Sequence, residues 1–188
     1  VEVAQKAKAE GVNQFIFISS MSVYGEHGSI KHPVVITRKT KPEPKDIYGK
    51  SKLQAEEGLM SLDDEDFLVC ILRLPMIYGP GCKGNYQTLI KAAQVLPLFP
   101  DIQNERSMLN IESLSVFIEH IIETKESGHF MPQDDVYVCT SQMVKKIAKE
   151  YGNKMTLTIV FNPLLRLLSE KIKLVDKIFG SLIYLRDE

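Results

Sequence analysis

The sequence predicts an α/β fold built on a parallel sheet, and three observations predict it. Residues 13–20 (NQFIFISS) and 67–73 (FLVCILR) are short, continuous runs of β-branched, aromatic and aliphatic residues, the pattern of strands buried on both faces. Each run follows a stretch of helical character, residues 1–10 closed by Gly11 and residues 46–60 opened by Asp46. After the second run the alternation of helix-like and strand-like segments continues to the end of the chain, which is the order expected of βα units.

Taken in order, residues 1–10 read as the tail of an amphipathic helix and 13–20 as the first strand. Residues 21–45 carry Gly25, Gly28, Pro33, Pro42 and Pro44 and read as a long ordered loop, with a short edge strand at 34–37. The segment 46–60 (DIYGKSKLQAEEGLM) has an N-cap residue and mostly strong helix formers after Gly49, so it is read as a helix. Pro75 ends the strand 67–73 before a turn-rich stretch at 78–84. Residues 85–95 and 111–125 read as helices, with 97–106 irregular between them. Residues 136–139 are expected to add another strand to the sheet. They precede a helix at 141–151, a short strand at 156–161 and one helix over 163–179 with proline in its first turn.

Composition excludes several classes. With 188 residues, 44% hydrophobic and 25% charged, the chain is neither disordered nor a coiled coil. Lys+Arg 23 against Asp+Glu 24, with five arginines, leaves no global basic field, so no nucleic-acid partner is expected. No apolar run approaches the roughly 20 residues that span a bilayer, and no signal-peptide pattern opens the chain; the expectation is a cytoplasmic protein with no membrane partner. Cys70, Cys82 and Cys139 are odd in number and lack Cys-x-x-Cys spacing. His27, His32, His120 and His129 contain no pair at a metal-ligand spacing on one helix. Buried thiols and no metal follow.

Gly79-Pro80-Gly81-Cys82-Lys83-Gly84 matches Gly-x-Gly-x-x-Gly in letters but not in chemistry. A dinucleotide-binding turn leaves its strand directly and offers backbone N–H groups to pyrophosphate, whereas here residues 75–78 intervene and Pro80 has no N–H. It is not a P-loop either, since Asn85 follows Gly84 where the lysine is required. A turn shaping a substrate pocket is the better reading. Tyr48 and Lys52 stand at i and i+4 on one face of the helix 46–60, within reach of one reacting centre. Ser19, Ser20 and Ser22 cluster at the carboxyl end of the first strand, where open parallel sheets place ligand-contacting groups.

FISSMSVYG at 17–25, YGKSK at 48–52 and LRLPMIYGPG at 72–81 together resemble the extended short-chain dehydrogenase/reductases, most closely the NAD-dependent epimerase/dehydratase branch that acts on nucleotide sugars. The resemblance covers residues 1 to about 151. It implies a partial Rossmann-type parallel sheet with a smaller C-terminal substrate-binding cap. The cofactor domain would comprise 1–75 and 106–139, and the substrate region 76–105 and 140–188. It implies NAD, with NADP as the alternative, a nucleotide-sugar substrate and a homodimer.

By the same resemblance Tyr48 is the acid/base, Lys52 binds the nicotinamide ribose and lowers the tyrosine pKa, and Ser20 holds the reacting sugar hydroxyl. An ordinary phenol titrates near 10, so proton acceptance at neutral pH calls for such a cation. Ser19 and Leu74 are expected at the cofactor. Ser22, Met76, Asn85, Tyr86 and Arg106 are expected at the substrate, with Arg106 as the diphosphate ligand because a guanidinium suits bidentate phosphate contact. Met76 stands where many members have asparagine, and Ile111-Glu112-Ser113-Leu114 replaces Val-x-Asp-Leu. Epimerisation is the preferred chemistry. A reductase is the alternative, and a non-catalytic binding module the rival from another class. A 4,6-dehydratase is disfavoured because Met21 and Ser22 replace the acids such enzymes carry after the strand-end hydroxyl. No Gly-rich βα unit precedes Val1, so the sequence reads as a fragment lacking roughly a hundred N-terminal residues. Such a fragment is expected to be inactive and to bind NAD weakly.

Overall fold

The computed structural model describes residues 1–26 and 28–185. His27 and the last three residues of the expected cap lie outside that set. In chain order the elements are α1 (Glu2–Ala9), β1 (Gln14–Ser20), a 3-10 turn (Met21–Tyr24), β2 (Val34–Ile36), α2 (Ile47–Met60), β3 (Leu68–Leu74), β4 (Met76–Tyr78), α3 (Asn85–Val95), β5 (Leu98–Pro100), β6 (Met108–Asn110), α4 (Ile111–Thr124), β7 (Gly128–Phe130), α5 (Thr140–Glu150), β8 (Thr156–Thr158), α6 (Asn162–Leu168), α7 (Lys173–Phe179) and β9 (Leu182–Tyr184). Among the described residues no helix is long and apolar enough to cross a membrane.

The chain divides into two compact units. The first comprises Val1–Glu26, Lys39–Pro75 and Leu109–Gln133. Its sheet has strand order β1-β3-β7, all parallel, with Gln14 opposite Leu68, Ser20 opposite Leu74 and Leu72 opposite Phe130. Alternation along the strands sends Phe15, Phe17, Val69 and Ile71 to one face, where Ala4 of α1 and Leu59 of α2 close a core with Phe67. Leu72 and Phe130 share the other face, and Phe117 of α4 meets Phe130 edge-on at 6.0 Å. Strand β3 is buried through its centre. Strand β1, expected to match it, stands at the edge of this sheet, and its Ile18 is 41% exposed.

The second unit comprises the described residues of 27–38, 76–108 and 134–188. Leu89 and Ala93 of α3 pack on Val144, Ile147 and Ala148 of α5, and the ring of Phe99 of β5 lies 5.6 Å from that of Phe179 of α7, tilted by 44°. Strands β5 and β8 pair in parallel, as do β2 and β9. Helix α5 has no capping side chain of its own. Asn104 caps it from a distance: its Oδ1 accepts from the Thr140 amide at 2.9 Å, and its Nδ2 donates to Thr140 Oγ1 at 3.1 Å.

The structure corrects several expectations. Residues 136–139 do not join the sheet. Only Val138 pairs, in an antiparallel bridge to Arg106 within the second unit, and the third sheet strand is β7. β-propensity reports fit to a half-buried surface and not which sheet a segment enters, and Gly-His-Phe is too short to announce itself. Residues 28–38 belong with the second unit, because β2 finds its partner in β9 at the far end of the chain. The single helix over 163–179 is two. Asp176 reaches back to accept from Ser169 Oγ at 2.5 Å and from the Glu170 amide at 2.6 Å. With Glu170 at φ 71, the chain turns there instead of continuing.

Candidate active site

In the first unit the candidate site is built where β1 ends and α2 begins. Ser20 caps the 3-10 turn that follows the strand; its Oγ accepts from the Ser22 amide at 3.2 Å and lies 3.1 Å from Ser22 Oγ. Asp46 caps α2, accepting from the Gly49 amide at 2.6 Å. A side chain at residue 49 would put its Cβ 2.5 Å from the Ser22 carbonyl oxygen and 2.9 Å from Pro44 Cβ. Only glycine lets the first turn of α2 settle on the serine turn. Tyr48, the neighbouring residue in that first turn, has a side chain open to solvent.

One turn further along α2, Lys52 Nζ donates to the Ile18 carbonyl at 2.8 Å and lies 4.7 Å from the Phe17 ring centroid and 5.8 Å from that of Tyr48. An ammonium is thereby fixed by a main-chain acceptor and two aromatic faces next to an accessible phenol. Leu74, opposite Ser20 in the ladder, is buried at the end of β3.

Another turn along the same helix face stands Glu56, with a side chain only 1% exposed. Arg73 Nη2 donates to Glu56 Oε2 at 2.7 Å, Arg73 Nε donates to the same oxygen at 3.1 Å, and Arg73 Nη1 donates to the Tyr24 hydroxyl at 2.9 Å. The Tyr24 hydroxyl in turn donates to Met131 Sδ. Burial alone would lower the Arg73 pKa, but its hydrogen bond to Glu56, with further contributions from the Tyr24 hydroxyl and the Glu56 carboxylate charge, outweighs that and raises it. His129 Nε2 lies 3.8 Å from Glu56 Oε2; burial first, then repulsion from Arg73, lowers its pKa against the pull of Glu56. Ser19 Oγ also donates to Glu56 Oε1. The hydroxyl expected at the cofactor is thus turned inward to the buried carboxylate.

The second unit holds a separate feature, a cavity of about 200 Å³ whose lining includes Met76, Asn85, Thr88, Arg106, Thr140 and Lys177. Arg106 Nη1 donates to the Lys177 carbonyl at 2.7 Å, and burial lowers its pKa to about 10, which leaves it cationic at neutral pH. Three residues expected at the substrate, Met76, Asn85 and Arg106, thus share one cavity. Tyr86 does not line it. Its side chain is half-buried against the α3–α5 core, 6.1 Å from the Tyr78 ring, and burial raises its pKa.

The sequence reading missed Glu56, Arg73, Tyr24 and His129, and it missed the cavity residues Thr88, Thr140 and Lys177. Glu56 had a signal: it continues the four-residue spacing of Tyr48 and Lys52 along one helix face. The others come from distant strands and helices, and no local pattern marks them.

A parallel sheet whose carboxyl end meets a Tyr-x-x-x-Lys helix defines a Rossmann-type α/β protein, and known structures agree. The chain superposes on MoeE5 in complex with UDP-glucose and NAD with a TM-score of 0.65 at 19% identity, covering 97% of this chain and 58% of that one. It superposes on dTDP-4-dehydrorhamnose reductase from Bacillus anthracis in complex with NADP with a TM-score of 0.62 at 20% identity, covering 82% of this chain and 53% of that one. In sequence, the UDP-glucose 4-epimerase of Vibrio cholerae is 32% identical over 191 residues, which cover 97% of this chain and 58% of the relative. Residues 1–130 match the NAD dependent epimerase/dehydratase family, and the chain belongs to it. It spans less than two thirds of the length of these relatives.

Proposed function

We propose that this chain carries the proton-transfer group and the diphosphate pocket of an NAD-dependent nucleotide-sugar 4-epimerase acting on UDP-sugars. The observation that carries the reading is the docking of α2 through Gly49 onto the serine turn, with Lys52 held between the Ile18 carbonyl and the Tyr48 ring. NAD, when bound, supplies the hydride acceptor. Tyr48 and Lys52 fit its nicotinamide-ribose end, since an ammonium and a phenol stand together at the carboxyl end of the parallel strands. Tyr48 accepts the proton of the sugar 4-hydroxyl and later returns it, Lys52 supplies positive charge to the phenolate, and Ser20 donates a hydrogen bond to the reacting oxygen. Arg106 and Asn85 take the diphosphate and its neighbouring sugar, with Met76 as apolar wall. The units 1–75 with 106–139 and 76–105 with 140–188, redrawn at residues 28–38, 106–108 and 134–139, serve as the cofactor and substrate parts.

The reading is tested by following conversion of UDP-galactose to UDP-glucose by the protein. Tyr48→Phe keeps the ring and removes the oxygen that accepts and returns the proton, so turnover falls by at least ~100-fold while sugar-nucleotide affinity changes little. Retained turnover refutes the role of Tyr48. Stoichiometric consumption of reduced cofactor during turnover identifies a reductase in place of an epimerase. Calorimetry on residues 1–188 checks the expectation of weak NAD binding, and a Kd near ~1 μM overturns it.

A further inference from the structure

The end of the second unit carries large apolar side chains that face solvent. Ile159 and Val160 are 70% and 75% exposed, Leu164 56%, Leu167 60%, Ile172 42% and Leu174 60%. They are not displaced core residues, because α6 and α7 already fill the core from their other faces through Leu165, Val175, Ile178 and Phe179. Leu164 and Leu167 stand at i and i+3 on the outward side of α6. The buried Asp176, through Ser169 and the Glu170 amide, fixes the turn that sets α6 against α7.

Charge on this surface is mostly positive. Arg166, Lys171 and Lys173 are exposed between and beside the apolar residues. The acids in the described stretch 159–185 are Glu170 and Asp176. Asp176 is buried in the turn, and Glu170 pairs with Lys31 at 3.7 Å and His32 at 3.3 Å. Leucines interleaved with Lys and Arg suit one surroundings better than a protein interface. Protein interfaces are depleted in lysine, whereas at a bilayer surface apolar side chains enter the acyl boundary while cationic heads reach the anionic headgroups.

We infer that the α6–α7 surface docks peripherally on a bilayer rich in anionic phospholipid. No helix among the described residues is long and apolar enough to cross a membrane, and peripheral contact needs none. Leu174 and Lys177 also line the cavity that contains Arg106, so docking sets the α7 wall of the cavity against the headgroups. Two seven-residue helices bury little apolar area, and the attachment is accordingly weak and reversible.

Co-sedimentation of the protein with vesicles tests this, using phosphatidylcholine alone and phosphatidylcholine with about a third phosphatidylglycerol. Partition is expected onto the anionic vesicles, with loss as salt rises to about 0.5 M. Lys171→Ala with Lys173→Ala weakens it about 25-fold, from about fivefold per lysine. Leu164→Ser with Leu167→Ser abolishes it, and both variants retain the parent circular dichroism because the replaced side chains are exposed. Absence of partition, equal partition onto neutral vesicles, or indifference to both variants overturns the inference. So does a dimer that Leu164→Ser with Leu167→Ser converts to monomer while neither form partitions, since the surface then belongs to a second copy of the chain.

Discussion

Replacing Arg73 by methionine leaves the Glu56 carboxylate in the first unit with its main counter-charge removed. The side chains of Glu56 and Arg73 are 1% and 12% exposed, so solvent can compensate neither. The pair ties α2 to β3, and through Ser19 to β1. Removing one partner of such a buried pair costs about 3–5 kcal/mol, because the survivor stays desolvated and uncompensated. For a chain of this size that corresponds to a fall in Tm of about 6–20 °C, read by circular dichroism at neutral pH. Glu56→Gln is expected to fall in the same range. Glu56→Leu combined with Arg73→Met recovers at least half of the loss, since no buried charge remains. A Tm within about 2 °C of the parent for either single variant refutes the reasoning. Because Glu56 lies on the same helix face as Tyr48 and Lys52, the single variants also lower turnover more than they raise KM, as displacement of the proton-transfer group requires.

Three further outcomes follow from the same geometry. His129 has its pKa lowered in the folded protein, so the unfolded chain binds the extra proton first; stability from this group is present above its ordinary value near 6.5 and is lost as pH falls below it, and His129→Gln flattens that slope in pH-dependent denaturant titrations. Burial, reinforced by Glu126, pushes the Cys70 thiol up to about 12, so at pH 8 it resists iodoacetamide until the protein unfolds; labelling of the native protein at Cys70, located by peptide mass mapping, contradicts this. Arg106→Leu raises KM for the UDP-sugar by about tenfold or more with kcat nearly unchanged, and abolishes the rise in Tm on adding UDP; a selective loss of kcat counts against the diphosphate role.

What was legible in the sequence was whatever is written in consecutive residues. The runs 13–20 and 67–73 announced strands because continuous β-branched and aromatic residues fit a pleated surface, and Asp46 with the helix formers after Gly49 placed α2 with its Tyr48–Lys52 spacing. Those local patterns, with the serine turn, also carried the family resemblance. Tertiary structure decided what depends on partners far along the chain. Strand β7 was chosen over residues 136–139 by the ladder β3 offers, and residues 28–38 went to the second unit because β9 pairs with β2. The Ser19 hydroxyl was claimed by Glu56, and Arg106 was gathered with Asn85 and Met76 into one cavity. Periodicity records which face of an element is apolar, but which buried polar atom completes another is set by desolvation in three dimensions: a group removed from water must find a partner, and the partner can come from anywhere in the chain.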